Sequence, residues 1–331
     1  MDAERKIINY LKDRGEVLQS RIHKDLGLSK STVSEILKRL EKEGKIVRER
    51  VAGRSYRIWY FEHAPKPVEG IVRIGILRAS EYPHILLSLR NLDIKAYIRV
   101  FDSALDLTKA LSSYRIDIGF SPFITQTVFA LLLKSIKIHR IVAFNGSGIV
   151  YKKDLRSCKT FATSEFSAME SNLKLSLEKL GHNLYDLNFR YFNSIGDAIK
   201  SFKSCEFDAI AVWEPYFTLL GYYKIPFRDI IGDYPCCSMA SNLEFYKRNK
   251  TLIQEFIRCI EDSVELLNYE SRRISASKYL AREIGLNWRI VLKSFKSYKF
   301  SCKLDFDNFK FLENYGLKLT RNSIKTIADI R

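Results

Sequence analysis

Hydrophobic positions in the first sixty residues recur at helical spacing and then switch to alternation. Ile7, Ile8 and Leu11 share one face of a helix predicted over residues 2–11, which Gly15 ends. Glu16-Val17-Leu18 predicts a short strand, and residues 19–26 a second helix burying Ile22 and Leu26. A third helix buries Val33, Ile36, Leu37 and Leu40; Ser29 is its expected N-cap and Gly44 its stop. Its opposite face carries Lys30, Ser31, Thr32, Ser34, Lys38 and Arg39. Two strand patterns follow, residues 46–51 and 56–61, with Ala52-Gly53-Arg54-Ser55 as a hairpin tip between them.

The segment His63-Ala64-Pro65-Lys66-Pro67-Val68-Glu69-Gly70 breaks this pattern. Its two prolines favour an extended spacer, about 3.1 Å per residue and so roughly 25 Å long. Beyond it, apolar strand runs alternate with helical periodicity. Strands are expected at 71–77, 95–101, 116–120, 138–144, 158–162, 188–192 and 207–213. Helices are expected at 82–89, 105–112, 123–133, 166–180, 195–202 and 252–267. Such alternation predicts open, mainly parallel α/β sheets with helices on both faces, whose ligands lie beyond the carboxyl ends of the strands.

Charge changes the picture of the first segment. The 331 residues carry a net charge of +17. Residues 1–62 hold 15 Lys and Arg against 10 Asp and Glu, a net of +5. The hairpin alone has Lys45, Arg48, Arg50, Arg54 and Arg57 against Glu49. Short hydrogen-bonding side chains at the start of a helix with cations beside them suit base edges and phosphates in a DNA major groove. The run Ser-Thr-Val-Ser through Leu-Lys-Arg-Leu-Glu-Lys-Glu-Gly, leading into a basic hairpin, resembles the winged helix-turn-helix of prokaryotic transcription regulators. That resemblance implies a DNA-binding domain over residues 1–62, with Lys30, Ser31, Thr32, Ser34, Lys38, Arg39, Arg48, Arg50, Arg54 and Arg57 facing double-stranded DNA. Residues 63–70 are then the linker, and residues 71–331 the effector domain.

A second resemblance covers that domain. Phe207-Asp-Ala-Ile-Ala-Val-Trp-Glu-Pro-Tyr216 and Ile116-Asp-Ile-Gly-Phe-Ser-Pro122 are similar to segments of type 2 periplasmic binding proteins of the nitrate, sulfonate, taurine and thiamine-precursor class. The resemblance implies two α/β lobes that close over a small ligand. Carried over position by position, it puts Ser80, Glu81, Tyr82, Phe120, Ser121, Asn145, Gly146, Ser147, Thr163, Ser164, Phe166, Trp213 and Glu214 in the cleft. Thr163 and Ser164 are expected beside a helix N-terminus, and Gly146 and Gly148 to let backbone approach the ligand. Glu214 and Glu165 disfavour a bare anion and point to a neutral or cationic heteroaromatic ligand.

Six cysteines include no Cys-x-x-Cys pair, and the five histidines have no metal-ligand spacing. No metal and no cofactor is expected, and adjacent Cys236 and Cys237 have poor geometry for one zinc ion. Phosphate-loop, dinucleotide and nucleophile-elbow motifs are missing, so no catalytic residue is assigned. The alternative is an enzyme of the pyrimidine-synthase type, whose Cys-Cys-Phe-Cys motif is replaced here by Cys236-Cys237-Ser238-Met239. The N-terminus enters a charged helix with no signal peptide, and no apolar run reaches the ~18 residues of a membrane span. The expectation is a cytoplasmic, homodimeric regulator that binds DNA and a small-molecule effector and is not an enzyme.

Overall fold

The computed structural model describes residues 3–53 and 55–330. Asp2, expected to begin the first helix, and Arg54, expected on DNA, lie outside the described residues.

The N-terminal unit has helices Ala3–Arg14, Gln19–Leu26 and Lys30–Lys42 and strands β1 (Glu16–Leu18), β2 (Ile46–Ala52) and β3 (Ser55–Tyr60). The strands form an antiparallel sheet in the order β1-β3-β2, with Val17 and Arg48 on either side of Ile58. Ile7, Leu11, Ile22, Val33, Leu37 and Leu40 close a small core against Ile58. The Ser29 hydroxyl accepts from the Thr32 amide and so caps helix Lys30–Lys42.

The proline-containing segment is not the extended spacer expected from its composition. Residues Phe61–His63 form a 3-10 turn, Ala64 is buried, and Val68 and Ile71 complete the N-terminal core. The cause lies in Arg73, on the first strand of the large domain. Its guanidinium donates to the carbonyls of Phe61 (3.2 Å), Ala64 (2.7 Å), Lys66 (2.8 Å) and Tyr114 (2.9 Å). It also pairs with Asp117 at 2.8 Å, both side chains being almost wholly buried. Backbone carbonyls held this way fold the segment onto the first lobe instead of leaving it in solvent.

The large domain contains β4 (Val72–Leu77), β5 (Ala96–Phe101), β6 (Ile118–Pro122), β7 (Ile136–Asn145), β8 (Ser147–Tyr151), β9 (Thr160–Thr163) and β10 (Asn188–Tyr191). It continues with β11 (Ala209–Trp213), β12 (Tyr223–Pro226), β13 (Pro235–Asn242) and β14 (Tyr298–Lys303). A six-stranded sheet in the order β14-β7-β13-β6-β4-β5 forms the first lobe, and a five-stranded sheet in the order β10-β9-β11-β8-β12 the second. The neighbours β4, β5 and β6 run parallel, as do β9, β10 and β11, while β13 runs antiparallel to both β6 and β7.

The chain crosses between lobes at residues 145–147 and returns at 233–234. The two crossings hold each other. The Asn145 amide donates to the Tyr234 carbonyl (3.1 Å), its side-chain nitrogen donates to Asp233 (2.8 Å), and Ser147 and Tyr234 share a 2.6 Å hydroxyl bond.

Candidate functional site

A cavity of about 30 Å³ lies between the lobes. Glu81, Cys236 and Cys237 line it from the first lobe, and Ser164, Met169 and Trp213 from the second. Space of that size holds two or three waters at most, so a larger ligand enters only if the lobes part. One apolar cluster, which includes Phe120 and Phe123 of the first lobe and Leu173 and Leu177 of the second, joins them, and single hydrogen bonds lie beside it. The Trp213 ring nitrogen donates to the Arg78 carbonyl (3.0 Å), the Ser80 amide to the Glu214 carbonyl (3.0 Å), and the Thr125 hydroxyl to the Phe166 carbonyl (2.7 Å).

Glu81 is the chemical centre of the cavity. Its carboxylate accepts from Tyr82 Oη (2.7 Å), Cys236 Sγ (3.2 Å) and Cys237 Sγ (2.9 Å), and all three partners are buried. Burial pushes the Glu81 carboxyl above the usual carboxylate range, against the pull of these donors. Burial likewise drives the Cys237 thiol well up. Poor geometry for one zinc ion was expected of these adjacent cysteines; in the structure both thiols meet one carboxylate.

The expected cleft residues divide. Glu81, Ser164 and Trp213 line the cavity. Tyr82 supports Glu81 from the core, Phe120 packs between Tyr82 and Phe256, and Ser121 bonds Thr108 at 3.0 Å inside the first lobe. Asn145, Gly146 and Ser147 belong to the crossing and line a separate cavity of about 190 Å³ with Phe217, Pro226, Arg228, Lys296 and Ser297. Gly146 (φ +82°) must be a glycine because of the Tyr298 ring: a Cβ there would lie 1.9 Å from it. Gly148 likewise makes room for Phe217 and Pro226.

Ser80 is buried against Ser294, whose hydroxyl donates to it at 2.7 Å. Thr163 and Ser164 do not cap the second-lobe helix. It begins at Ala168, capped by Ser167, because Phe166 takes a left-handed φ of +48° and ends the preceding turn. Its ring is 58% exposed and stacks on nothing in the cavity. Glu214 is satisfied internally, accepting from the Thr218 amide and hydroxyl at 2.9 Å and from Ser297 at 2.6 Å. Burial raises its pKa while those same bonds oppose the rise. Three of its four lone-pair sites are thus taken inside the fold.

Sequence reading missed Arg73, although a lone cation inside the run Ile-Val-Arg-Ile-Gly-Ile-Leu marks it. It also missed the whole of β13, with its cysteines.

The N-terminal face is the second candidate. Lys30, Ser31 and Lys38 are exposed, and Thr32 and Ser34 are half-buried. A groove of about 740 Å³ runs between helices Gln19–Leu26 and Lys30–Lys42 and the hairpin, past His23, Lys24, Lys30 and Tyr56. Several expected phosphate ligands are paired within the unit. Arg39 pairs with Glu4, Arg48 with Glu41 at 3.0 Å, and Arg57 with Glu16 at 2.9 Å. Arg50 donates to the Gly53 carbonyl, and Arg48 also stacks on Tyr56.

Comparison with solved structures accounts for the two lobes. The ligand-binding component of an ABC-type import system from Staphylococcus aureus, solved with zinc bound, superposes with a TM-score of 0.68 at 16% identity, covering 79% of this chain and 97% of that one. The large domain has the type 2 periplasmic-binding-protein fold. The periplasmic aliphatic sulphonate binding protein SsuA from Escherichia coli (TM-score 0.60, 15% identity, 74% of this chain and 90% of that one) is also similar. So is the periplasmic nitrate-binding protein NrtA from Synechocystis (TM-score 0.62, 10% identity, 78% and 86%). Residues 1–59 match a family described as a domain of unknown function, DUF7343. No curated protein matches the sequence. Among the described residues, no helix is long and apolar enough to cross a membrane.

Proposed function

We propose that this chain is a ligand-responsive, one-component transcription regulator. The N-terminal unit is a winged helix-turn-helix that reads double-stranded DNA, and the periplasmic-binding-protein-like domain binds a small molecule between its lobes. The observation that carries this is the face of helix Lys30–Lys42: its apolar stripe is buried while Lys30, Ser31 and Lys38 remain open to solvent beside a groove and a hairpin. A helix and a wing so arranged fit a major groove and the backbone next to it.

Support for coupling comes from the Arg73 junction. It fastens the reader to the first lobe, so opening of the cleft moves the second lobe relative to both. In a cytoplasmic homodimer, that motion would alter the separation of two readers set for half-sites about 34 Å apart. The ligand is a small neutral or cationic metabolite held between the lobes, a heteroaromatic amine being one such class.

An enzymatic role has less in its favour. His84 is wholly buried against Phe300, its pKa pushed down to about 3 by burial, and it lines no part of the interlobe cavity. Ser241, His139 and Asp329 lie in line, at 2.8 Å and 3.8 Å, yet the Ser241 hydroxyl is fully buried and cannot meet a substrate.

The test is fluorescence anisotropy on duplexes selected by the purified protein. The expected result is tight binding with a steep salt dependence and preference over random duplex. Equal affinity for random duplex at every salt concentration overturns the proposal.

A further inference from the structure

Adjacent residues in a regular strand point to opposite faces. Cys236 and Cys237 do not, because β13 shifts register against β7 between Pro235 and Cys237 and again between Cys237 and Ser238. The irregularity turns both thiols onto Glu81. The two sulfur atoms and a carboxylate oxygen lie within 4.8 Å of one another, all on buried residues.

The electrostatics of this cluster are incomplete. A buried carboxylate is ordinarily matched by a cation, as Asp117 is by Arg73 in the same lobe. Among the described residues, the partners of the Glu81 carboxylate are two thiols and a phenol, all weak acids and none carrying positive charge.

We propose that Glu81, Cys236 and Cys237 form a binding site for a zinc-class thiophilic cation. Two thiolate sulfurs and one carboxylate oxygen supply three corners of a tetrahedron, a donor set that suits zinc over magnesium or calcium. The fourth position faces the interlobe cavity, open to water or to a donor atom of a ligand. Tyr82, donating to the carboxylate from outside the ligand set, holds it in orientation. On binding, two sulfur–metal bonds form and the two thiol protons pass to solvent. The dication takes the place of the two thiol protons, so the net charge of the cluster is unchanged while the carboxylate gains a cationic partner. Access runs past Ser164, Trp213 and the exposed Asp102 at the cavity rim.

The test uses the full chain, reduced and metal-stripped, titrated anaerobically with Co(II). The expected result is a sulfur-to-cobalt charge-transfer band with tetrahedral ligand-field absorption, saturating at one equivalent and displaced by Zn(II). Cys236→Ser and Cys237→Ser abolish the charge-transfer band or reduce it to a single-sulfur intensity, and Tyr82→Phe weakens binding about tenfold. Cys205→Ser, which removes an exposed thiol of the second lobe, leaves the titration unchanged.

Should the β13 variants fail to fold, X-ray absorption of the zinc-loaded wild type decides. Two sulfur neighbours near 2.3 Å support the site, and a shell of oxygen and nitrogen alone overturns it. A band that keeps its full wild-type intensity in both β13 variants, or that depends on Cys205, also overturns it. None of these measurements involves DNA, so their failure leaves the reader–sensor proposal standing, and loss of DNA binding leaves the cobalt titration intact.

Discussion

The large domain has two junctions, and they are built on different principles. Toward the N-terminal unit, one guanidinium satisfies all its donors on four carbonyls and a carboxylate in a dry interior. Between the lobes, two peptide crossings, a shared apolar cluster and a few single hydrogen bonds surround a small cavity. The first junction is a joint with every polar group paired. The second combines non-directional apolar contact with separable hydrogen bonds, each of the latter worth about 0.5–1.5 kcal/mol. Hinge motion should therefore concentrate between the lobes while the N-terminal unit rides with the first.

The largest way to break that contrast is Arg73→Met. It strands Asp117 in the interior and should cost about 3–5 kcal/mol of stability, measured by chemical denaturation. The domain should also release residues 61–66 to proteolysis; an unchanged cleavage pattern would show that the joint lies elsewhere. The matched pair Asp117→Asn and Glu81→Gln sharpens it. Asp117→Asn should destabilise strongly, whereas Glu81→Gln should be close to neutral in metal-free protein, since it removes a carboxylate that has no counter-charge.

Next in size, Gly146→Ala places a Cβ against the Tyr298 ring at a positive φ. Overpacking and backbone strain should together cost about 2–4 kcal/mol, read as a lowered thermal midpoint. A midpoint equal to wild type would show that the crossing yields easily. Trp213→Phe deletes the donor to the Arg78 carbonyl while keeping most of the ring. The expected loss is about 1 kcal/mol, with a larger radius of gyration in solution scattering as the open population grows. The smallest effect falls on the reader: Lys30→Ala and Lys38→Ala should each reduce the salt slope of DNA binding by about one. Arg57→Ala, already paired with Glu16, should change it less. Slopes for Lys30→Ala and Lys38→Ala that match wild type would remove the helix from the DNA interface.

Much of this architecture is legible in the chain, and the failures have physical reasons. The apolar stripe at Val33, Ile36, Leu37 and Leu40 and the runs at Val72–Leu77 and Ala209–Trp213 announce their elements because burial of large aliphatic groups dictates them. Strand β13 does not. Pro-Cys-Cys-Ser-Met-Ala-Ser-Asn is wholly buried yet built of small and polar residues, which fit a crowded centre between β6 and β7 and carry no strand signature.

The candidate site was less legible than the fold. Motif correspondence put Asn145, Gly146 and Ser147 beside a ligand, but the side chains of Asn145 and Ser147 bond Asp233 and Tyr234 and the Gly146 carbonyl accepts from the Glu214 amide, all far along the chain. Phe166 and Glu214 went astray similarly, one through a left-handed turn and the other through Thr218 and Ser297. Position along a sequence does not say which partner a polar group will find.

One property of the Arg73 joint reaches beyond this molecule. The guanidinium grips Phe61, Ala64 and Lys66 by their carbonyl oxygens, which every amino acid possesses. Residues in that stretch can therefore drift in identity without loosening the grip, provided the path of the main chain survives. Arg73 and Asp117 have no such freedom, and relatives of this chain should vary around an unvarying pair.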